Sequence, residues 1–521
     1  MQNIKSGITF GIIGGLLTFL FGGWSVAVIG CLMGVGLGMG LGGKLERKDP
    51  FKIARDVTPT ALVAGAILAV LSYYQNSYVQ HAIGKQPAAM NVVIYGNLIG
   101  FLGTVFFTTL LAGMHGLPEK QEQKWKMILL AVLVIAFPFI DKLTALRWTA
   151  QIIFALIFVI LGLGLNIVVG YAGLLDLGYA AFFAIGAYTT GMLSSPVHGI
   201  HTNFWIVIWI AAGMAAIWGF MLGAPTLPLR GDYLAIVTLG FGEIVPVLFR
   251  NLIDVTIKEP LTCWILPLFR VQTTCITFVE HFDLTLGEKG ISPIGRPSLP
   301  FIGDFKSSDP IPWYFLIIAI ILLSVFIIRR LHKSRLGRAW MAIREDELAA
   351  AQMGIDPVKT KLAAFAMGAT FSGFAGAFYA AYIAGIFPSV FDFSASIIIL
   401  CVVILGGIGN INGVIVGGLV IMTADRLFLP ALKDFLASLL THTVLPAISD
   451  PVMQLTVKDN ANPILYRFLL FGLTLVIMMA VRPEGLIPNQ QRRQEFHEAD
   501  AEPAVSDSET APKSKSSGKK K

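Results

Sequence analysis

The chain has 521 residues, 55% of them hydrophobic and only 14% charged, with a formal net charge of +7. Soluble globular domains carry about 25% charged residues. That deficit, with repeated long apolar runs, excludes an ordinary soluble domain and predicts an all-α, polytopic inner-membrane protein. The short alternating segments of an outer-membrane barrel do not occur. The basic residues cluster in loops beside apolar runs, where membrane topology places them, so the charge does not signal nucleic acid.

Taken in chain order, apolar runs predict spans near 7–22, 24–43, 58–74, 91–114, 125–141, 148–169, 174–194, 205–223, 233–253, 312–330, 362–386, 394–408, 413–425 and 464–481. That is about 14, within two either way, at about 20 residues per full span. The run from Ile8 to Leu41 is too long for one signal-peptide core and reads as mature transmembrane sequence. Residues 488–521 change to a polar, Ser/Pro-rich tail of disordered character.

Lys/Arg bias sets the orientation. The basic stretches "KLERKDPFKIAR" (44–55), "EKQEQKWK" (119–126), "RRLHKSRLGR" (329–338) and the tail after Arg482 are assigned to the cytoplasm. Both termini are then cytoplasmic, and the long loops 254–311 and 426–463 face outside. The lysine-rich end could also touch anionic membrane lipid.

No G-x-x-x-x-G-K-[ST] loop, metal-ligand spacing or dinucleotide fingerprint occurs. No cofactor or metal is expected, and transport is a better class than catalysis. Cys31 and Cys401 lie in apolar runs as small packing residues. Cys263 and Cys275 lie in an outside loop, where an oxidising compartment permits a disulfide without spacing proving one.

Polar groups inside apolar spans mark candidate sites, because the bilayer is a poor host for them. Asn166, Asp176, Glu243 and Asn251 lie in or beside such spans. Asp176 sits among Gly170, Gly173 and Gly178, which permit an unwound backbone of the kind that lines transport paths. Its other reading is a turn at the inner face, with Asp176 capping the next helix. "VTLGFGEIVPVLF" holds Gly240, Gly242 and Pro246 and predicts a discontinuous helix with Glu243 at the break, unless Glu243 pairs with Arg250. Gly409, Gly413 and Gly417 recur every fourth residue, which suits close helix packing, while Asn410 and Asn412 serve the turn.

A charged segment at 334–361 interrupts the apolar pattern. Within it "REDELAAAQMG" predicts a short surface helix. Glu345, Asp346 and Glu347 complement a helix N-terminus, three alanines follow, Gly354 suits the position after the helix and Pro357 prevents continuation. A small-residue face of this kind fits a groove on a partner; a solvated loop is the plain alternative.

The order E-x-A-A-x-x-x-G, at Glu347, Ala349, Ala350 and Gly354, resembles the coupling loop of ABC importer permeases. It departs from the usual E-A-A opening, since Leu348 stands directly before the alanines. "LGLGLNIVVGYAGLLDLGYAAFFAIGAYTTGML" (161–193), "LRGDYLAIVTLGFGEIV" (229–245), "LGGIGNINGVIVGG" (405–418) and "YRFLLFGLTLVIMMAVRPEGLIP" (466–488) resemble branched-chain amino acid permeases of the LivM type. The resemblance implies a non-enzymatic permease subunit, with residues 125–487 as its core and residues 1–124 as an N-terminal accessory membrane segment. Its expected partners are a second related permease, two ABC ATPase subunits and a periplasmic amino-acid-binding protein. It places ATPase coupling at Arg344, Glu345, Glu347, Ala349, Ala350 and Gly354, and the cargo would be leucine, isoleucine or valine. Urea or short amides are the nearer alternative cargo. An ion-coupled carrier using Asp176 or Glu243, or a channel, are the rivals of another class. The loop after Asn251 and the loop 426–463 are longer than the family pattern.

Overall fold

The computed structural model describes residues 119–144, 148–226, 232–253, 255–258, 277–299, 303–430, 432–433, 440, 462–481 and 485–487. The expected first four spans, the Cys263–Cys275 pair, most of the loop 426–463 and the tail lie outside these residues. Within them the elements are α1 (Glu119–Thr144), α2 (Trp148–Leu165), a π-turn (Asn166–Tyr171), α3 (Ala180–Ser194), α4 (Phe204–Thr226) and α5 (Asp232–Asn251). Two short antiparallel ribbons follow, β1 (Val255–Lys258) with β2 (Thr277–Phe282) and β3 (Ser298–Leu299) with β4 (Gly303–Asp304). Then come α6 (Pro310–His332), α7 (Arg335–Glu345), α8 (Glu347–Gln352), α9 (Pro357–Ile383), α10 (Phe393–Gly406), α11 (Ile411–Thr423), a second π-turn (Ala424–Phe428) and α12 (Arg467–Val481).

The membrane part is helical and polytopic. Six described helices are long and apolar enough to cross a bilayer, and α3, α10 and α12 are shorter apolar helices. In hydrocarbon only helices and closed barrels satisfy their backbone groups internally, so these open two-stranded ribbons belong to the connecting loop.

The described residues fall in two compact units. In the first, which holds residues 119–153, 308–315 and 425–467 where described, the Asp141 carboxylate accepts from Trp148 N and Thr149 N at 2.9 and 2.8 Å. It thereby satisfies donors left over at the start of α2. The Tyr314 hydroxyl donates to Val134 O at 3.0 Å.

The second unit contains the packed core. There α9 packs most extensively on α4 and α3. Its sequence "GATFSGFAGAF" lets backbones meet: a Cβ on Gly186 of α3 would stand 2.6 Å from Gly373 Cα, and one on Gly219 of α4 would stand 2.7 Å from Ala369 Cβ. Small residues at such crossings are the means by which membrane helices gain dispersion contacts without a hydrophobic driving force. The same device joins α10 to α11, where Gly417 lies against the backbone of Gly406, with Cα 2.7 Å from a built Cβ. The π-extended α2 and α9 bury 83% and 72% of their apolar windows, against 39% for α4, α5, α6 and α11, so the first two are interior spans.

One expected feature is corrected. α5 runs without interruption through Gly240, Gly242 and Pro246. Gly242 serves contact instead, since a Cβ there would stand 2.9 Å from Gly178 Cα. The unwound backbone falls at 172–179, before α3, and the Ala180 N–H at its end donates to Ser396 Oγ of α10 at 3.0 Å.

At the end of the core away from α8, Arg250 closes α5 with ion pairs to Glu288 and Asp392, each at 3.3 Å. The Tyr188 ring of α3 stacks on Phe249, centroids 4.0 Å apart. Glu243 is exposed and Arg250 has these other partners, so the alternative Glu243–Arg250 pair does not form.

Candidate functional site

The charged segment 334–361 is built by its caps. Ser334 Oγ accepts from Gly337 N at 3.3 Å and starts α7, whose Trp340 is wholly buried and donates through Nε1 to Thr360 O at 2.7 Å. α7 ends at Glu345, and Asp346 turns extended with φ −151°. The Asp346 carboxylate then accepts from Leu348 N and Ala349 N at 2.8 and 3.0 Å, capping α8.

The six-residue α8 ends in two nested bonds, Ile355 N to Ala350 O at 3.1 Å and Gly354 N to Ala351 O at 3.0 Å. Gly354 has φ +86°, which an L side chain adopts only with strain. Asp356 caps α9 through Val358 N and Lys359 N, and Pro357 sits in the first turn of α9. Hydrogen bonds from the Lys359 backbone, then from its side chain, hold the exposed Asp356 carboxyl below the usual carboxylate range.

Two details differ from expectation. Glu345 closes α7 rather than joining the first turn of the short helix. Pro357 does not terminate that helix, which Gly354 has already ended; it opens α9.

Leu348 is 64% and Met353 84% exposed, and Ala349, Ala351 and Gln352 are exposed beside them, whereas Ala350 is buried. The result is a small, apolar and rigidly capped projection. Glu347 anchors it inward through an ion pair of 2.6 Å with Lys361, a lysine that is itself buried.

Arg344 reaches the other way. Its Nη1 donates to Gly170 O in the π-turn at 2.7 Å. Gly173, at φ +72°, leaves room for the arginine stem, since a Cβ there would stand 2.8 Å from Arg344 Cγ. Asn166 is fully buried at the start of the same π-turn, and its Oδ1 accepts from Gly409 N at 2.8 Å. The Tyr171 ring faces His332, with centroids 4.7 Å apart.

The remaining candidates separate into two groups. Asp176 is 2% exposed and accepts from Gly178 N at 2.9 Å, so it closes a local turn; Tyr179 occupies the cap position of α3 without a side-chain cap. Next to it Leu177 N donates to Thr238 Oγ1 at 3.1 Å, and Gly178 lies directly on the α5 backbone at Thr238 and Gly242. Gly240 and Glu243 lie on the exposed face of α5, with open space where a Gly240 side chain would be. Asn410 caps α11 by accepting from Asn412 N at 3.0 Å and also donates to Ile487 O at 3.0 Å.

Lys361, Thr238 and Ser396 do structural work that the sequence did not single out. Lys361 carried a signal, since a lysine beginning a long apolar helix demands a partner. Thr238 and Ser396 carried none; small hydroxyls are common in membrane helices.

Comparison with known proteins decides the family. Residues 149–478 match the family "Branched-chain amino acid transport system / permease component". The chain belongs to the branched-chain amino acid transport permeases. The permease is 37% identical to the "High-affinity branched-chain amino acid transport system permease protein LivM" of Escherichia coli (strain K12), over 70% of this chain and 75% of that one. It is 35% identical to the LivM protein of Salmonella typhimurium over the same shares. The "permease protein LivH" of that Salmonella strain is 24% identical over 52% of this chain and 81% of its own. No solved structure matches the permease. Members of such a family are transport components and not enzymes.

Proposed function

We propose that the permease is the membrane-spanning subunit of an ABC importer that carries leucine, isoleucine or valine inward by alternating access. It works with a second related permease, two ATPase subunits and a periplasmic amino-acid-binding protein. Similarity both to LivM and, more distantly, to LivH proteins supports a pair of homologous permeases. About 14 spans, cytoplasmic termini and a 125–487 core flanked by the accessory segment and tail complete the reading.

The observation that carries it is the capped projection Asp346–Gly354, fixed at both ends and exposed except at Glu347 and Ala350. A six-residue helix would be unstable alone. Here two caps and the Glu347–Lys361 pair keep it rigid, as an element that transmits force must be. In this reading α8 docks in a groove of an ATPase subunit, with Leu348 and Met353 as its apolar contacts.

The translocation path runs along the exposed face of α5 and the unwound stretch 172–179. A carboxylate facing acyl chains is costly, so exposed Glu243 turns toward the second permease or the aqueous path. Gly240 beside it gives an apolar amino acid room to pass. Asn166, Gly170, Gly173, Asp176, Gly178 and Gly242 support that path from behind.

The docking is tested by Met353→Cys in the assembled complex. A cysteine there should crosslink to an ATPase subunit, with a yield that changes when ATP binds. No crosslink from position 353 or from Leu348→Cys, in a complex that still transports, contradicts the assignment.

A further inference from the structure

We infer that Arg344 is a positioning residue that carries movement of the coupling helix into the transport core by holding the Gly170 carbonyl of the π-turn. The inference rests on the ABC reading above and adds the route by which the input reaches the spans.

The Gly170 carbonyl needs a donor from outside its own helix. In a continuing α-helix it would accept from Leu174 N, but that N–H bonds to Val168 O at 3.0 Å, and Ala172 N bonds to Ile167 O at 3.1 Å. The wider turn thus ends with a carbonyl that lacks an intrahelical partner. Arg344 supplies the donor at 2.7 Å, and a cation at a helix C-terminus also meets the favourable end of the dipole.

The arginine is placed to move with α8. It lies in the last turn of α7, two residues before the Asp346 cap. Beyond Gly170 the backbone is unwound as far as Tyr179, and this stretch meets α5 through the Leu177–Thr238 bond and the Gly178–Gly242 contact. Gly240 and Glu243 follow on the exposed face of α5. The contacts are therefore continuous from α8 through Arg344, Gly170 and 172–179 to α5. Asn166, bound to Gly409, holds the opposite end of the π-turn, so a pull on Gly170 bends the turn instead of sliding the helix.

Continuity alone does not establish coupling, so the test reads coupling itself. The complete complex, with both permeases, the ATPases and the binding protein, is reconstituted in vesicles as wild type, Arg344→Ala and Arg344→Lys. Leucine uptake and ATP hydrolysis are measured together, with assembly checked by size and thermal stability. In Arg344→Ala, leucine transported per ATP hydrolysed should fall about tenfold or more while the complex stays assembled. Lysine keeps one cationic donor and should recover part of that ratio. An unchanged ratio in Arg344→Ala overturns the inference. So does loss of assembly in both variants, which makes Arg344 a structural clamp only. If the wild type itself shows no ATP-driven uptake, the ABC reading fails, and that result is distinct from either.

Discussion

Gly178→Val should leave little folded permease. The glycine lies where 172–179 crosses α5: a Cβ would overlap Thr238 O and stand 3.1 Å from Gly242 N. These are backbone atoms, so no rotamer change relieves the clash. The far end of α5 is pinned by the Tyr188–Phe249 stack and by Arg250, which resists rigid withdrawal of the helix. Overpacking a tight core costs about 1–3 kcal/mol for added methylenes, and three carbons against backbone should reach or exceed the top of that range. The yield of monodisperse protein in detergent and its melting temperature report the effect, with Gly178→Ala falling between valine and wild type. Gly240→Ala, on the exposed face of α5 midway between Thr238 and Gly242, is the control. Its site is open, so the melting temperature should hold. Equal losses at 178 and 240 would mean that the loss does not come from the contact of Gly178 with α5.

Glu347→Ala should be the most damaging single change in the charged segment. Lys361 is 7% exposed in its side chain, and Glu347 Oε1 lies 2.6 Å from its Nζ. Removing one partner of a fully buried pair costs about 3–5 kcal/mol. Glu347 is about one-third exposed, so water screens part of the interaction and about 2 kcal/mol is the expected loss. The buried ammonium would pull water or lipid headgroups between α8 and α9, and the projection would lose its inner anchor. Adding Lys361→Met to Glu347→Ala should restore most of the stability, because an apolar side chain of similar length fills the site without a charge. Uptake should stay low in the double variant, since no pair then holds α8. If the double variant transports like wild type, the pair is a stability feature and not part of the coupling.

Hydropathy and charge bias made the helical, polytopic class and most described span positions legible. Alternation of basic and apolar stretches is a local property, and the bilayer imposes it on sequence directly. The short helix was legible too, because its signals are local: Asp346, the alanines and Gly354 lie within nine residues. The error at Glu345 arose inside "RED". Three adjacent charged residues look alike in sequence, and one extended φ at Asp346 decides which acid caps.

The site was less legible because its contacts are tertiary. Glycines in "LGFGE" and in "GYAGLLDLGY" look equally able to break a helix. The break went to 172–179 because Gly242 is occupied in packing on Gly178. Glu243 and Arg250 share a face but stand about 10 Å apart along the helix axis, and Arg250 meets Glu288 and Asp392 first. The Arg344–Gly170 bond joins residues 174 positions apart, and no local pattern announces it.

The central claim is that ATP hydrolysis by partner subunits drives this permease. Uptake of labelled leucine into vesicles bearing the whole complex tests it most directly, with binding protein supplied on the outer side and ATP inside. The account predicts saturable accumulation that needs both additions and survives ionophores that collapse proton and sodium gradients. Accumulation that persists without ATP and vanishes with the gradients would contradict it, and would turn Asp176 and Glu243 into candidate ion sites.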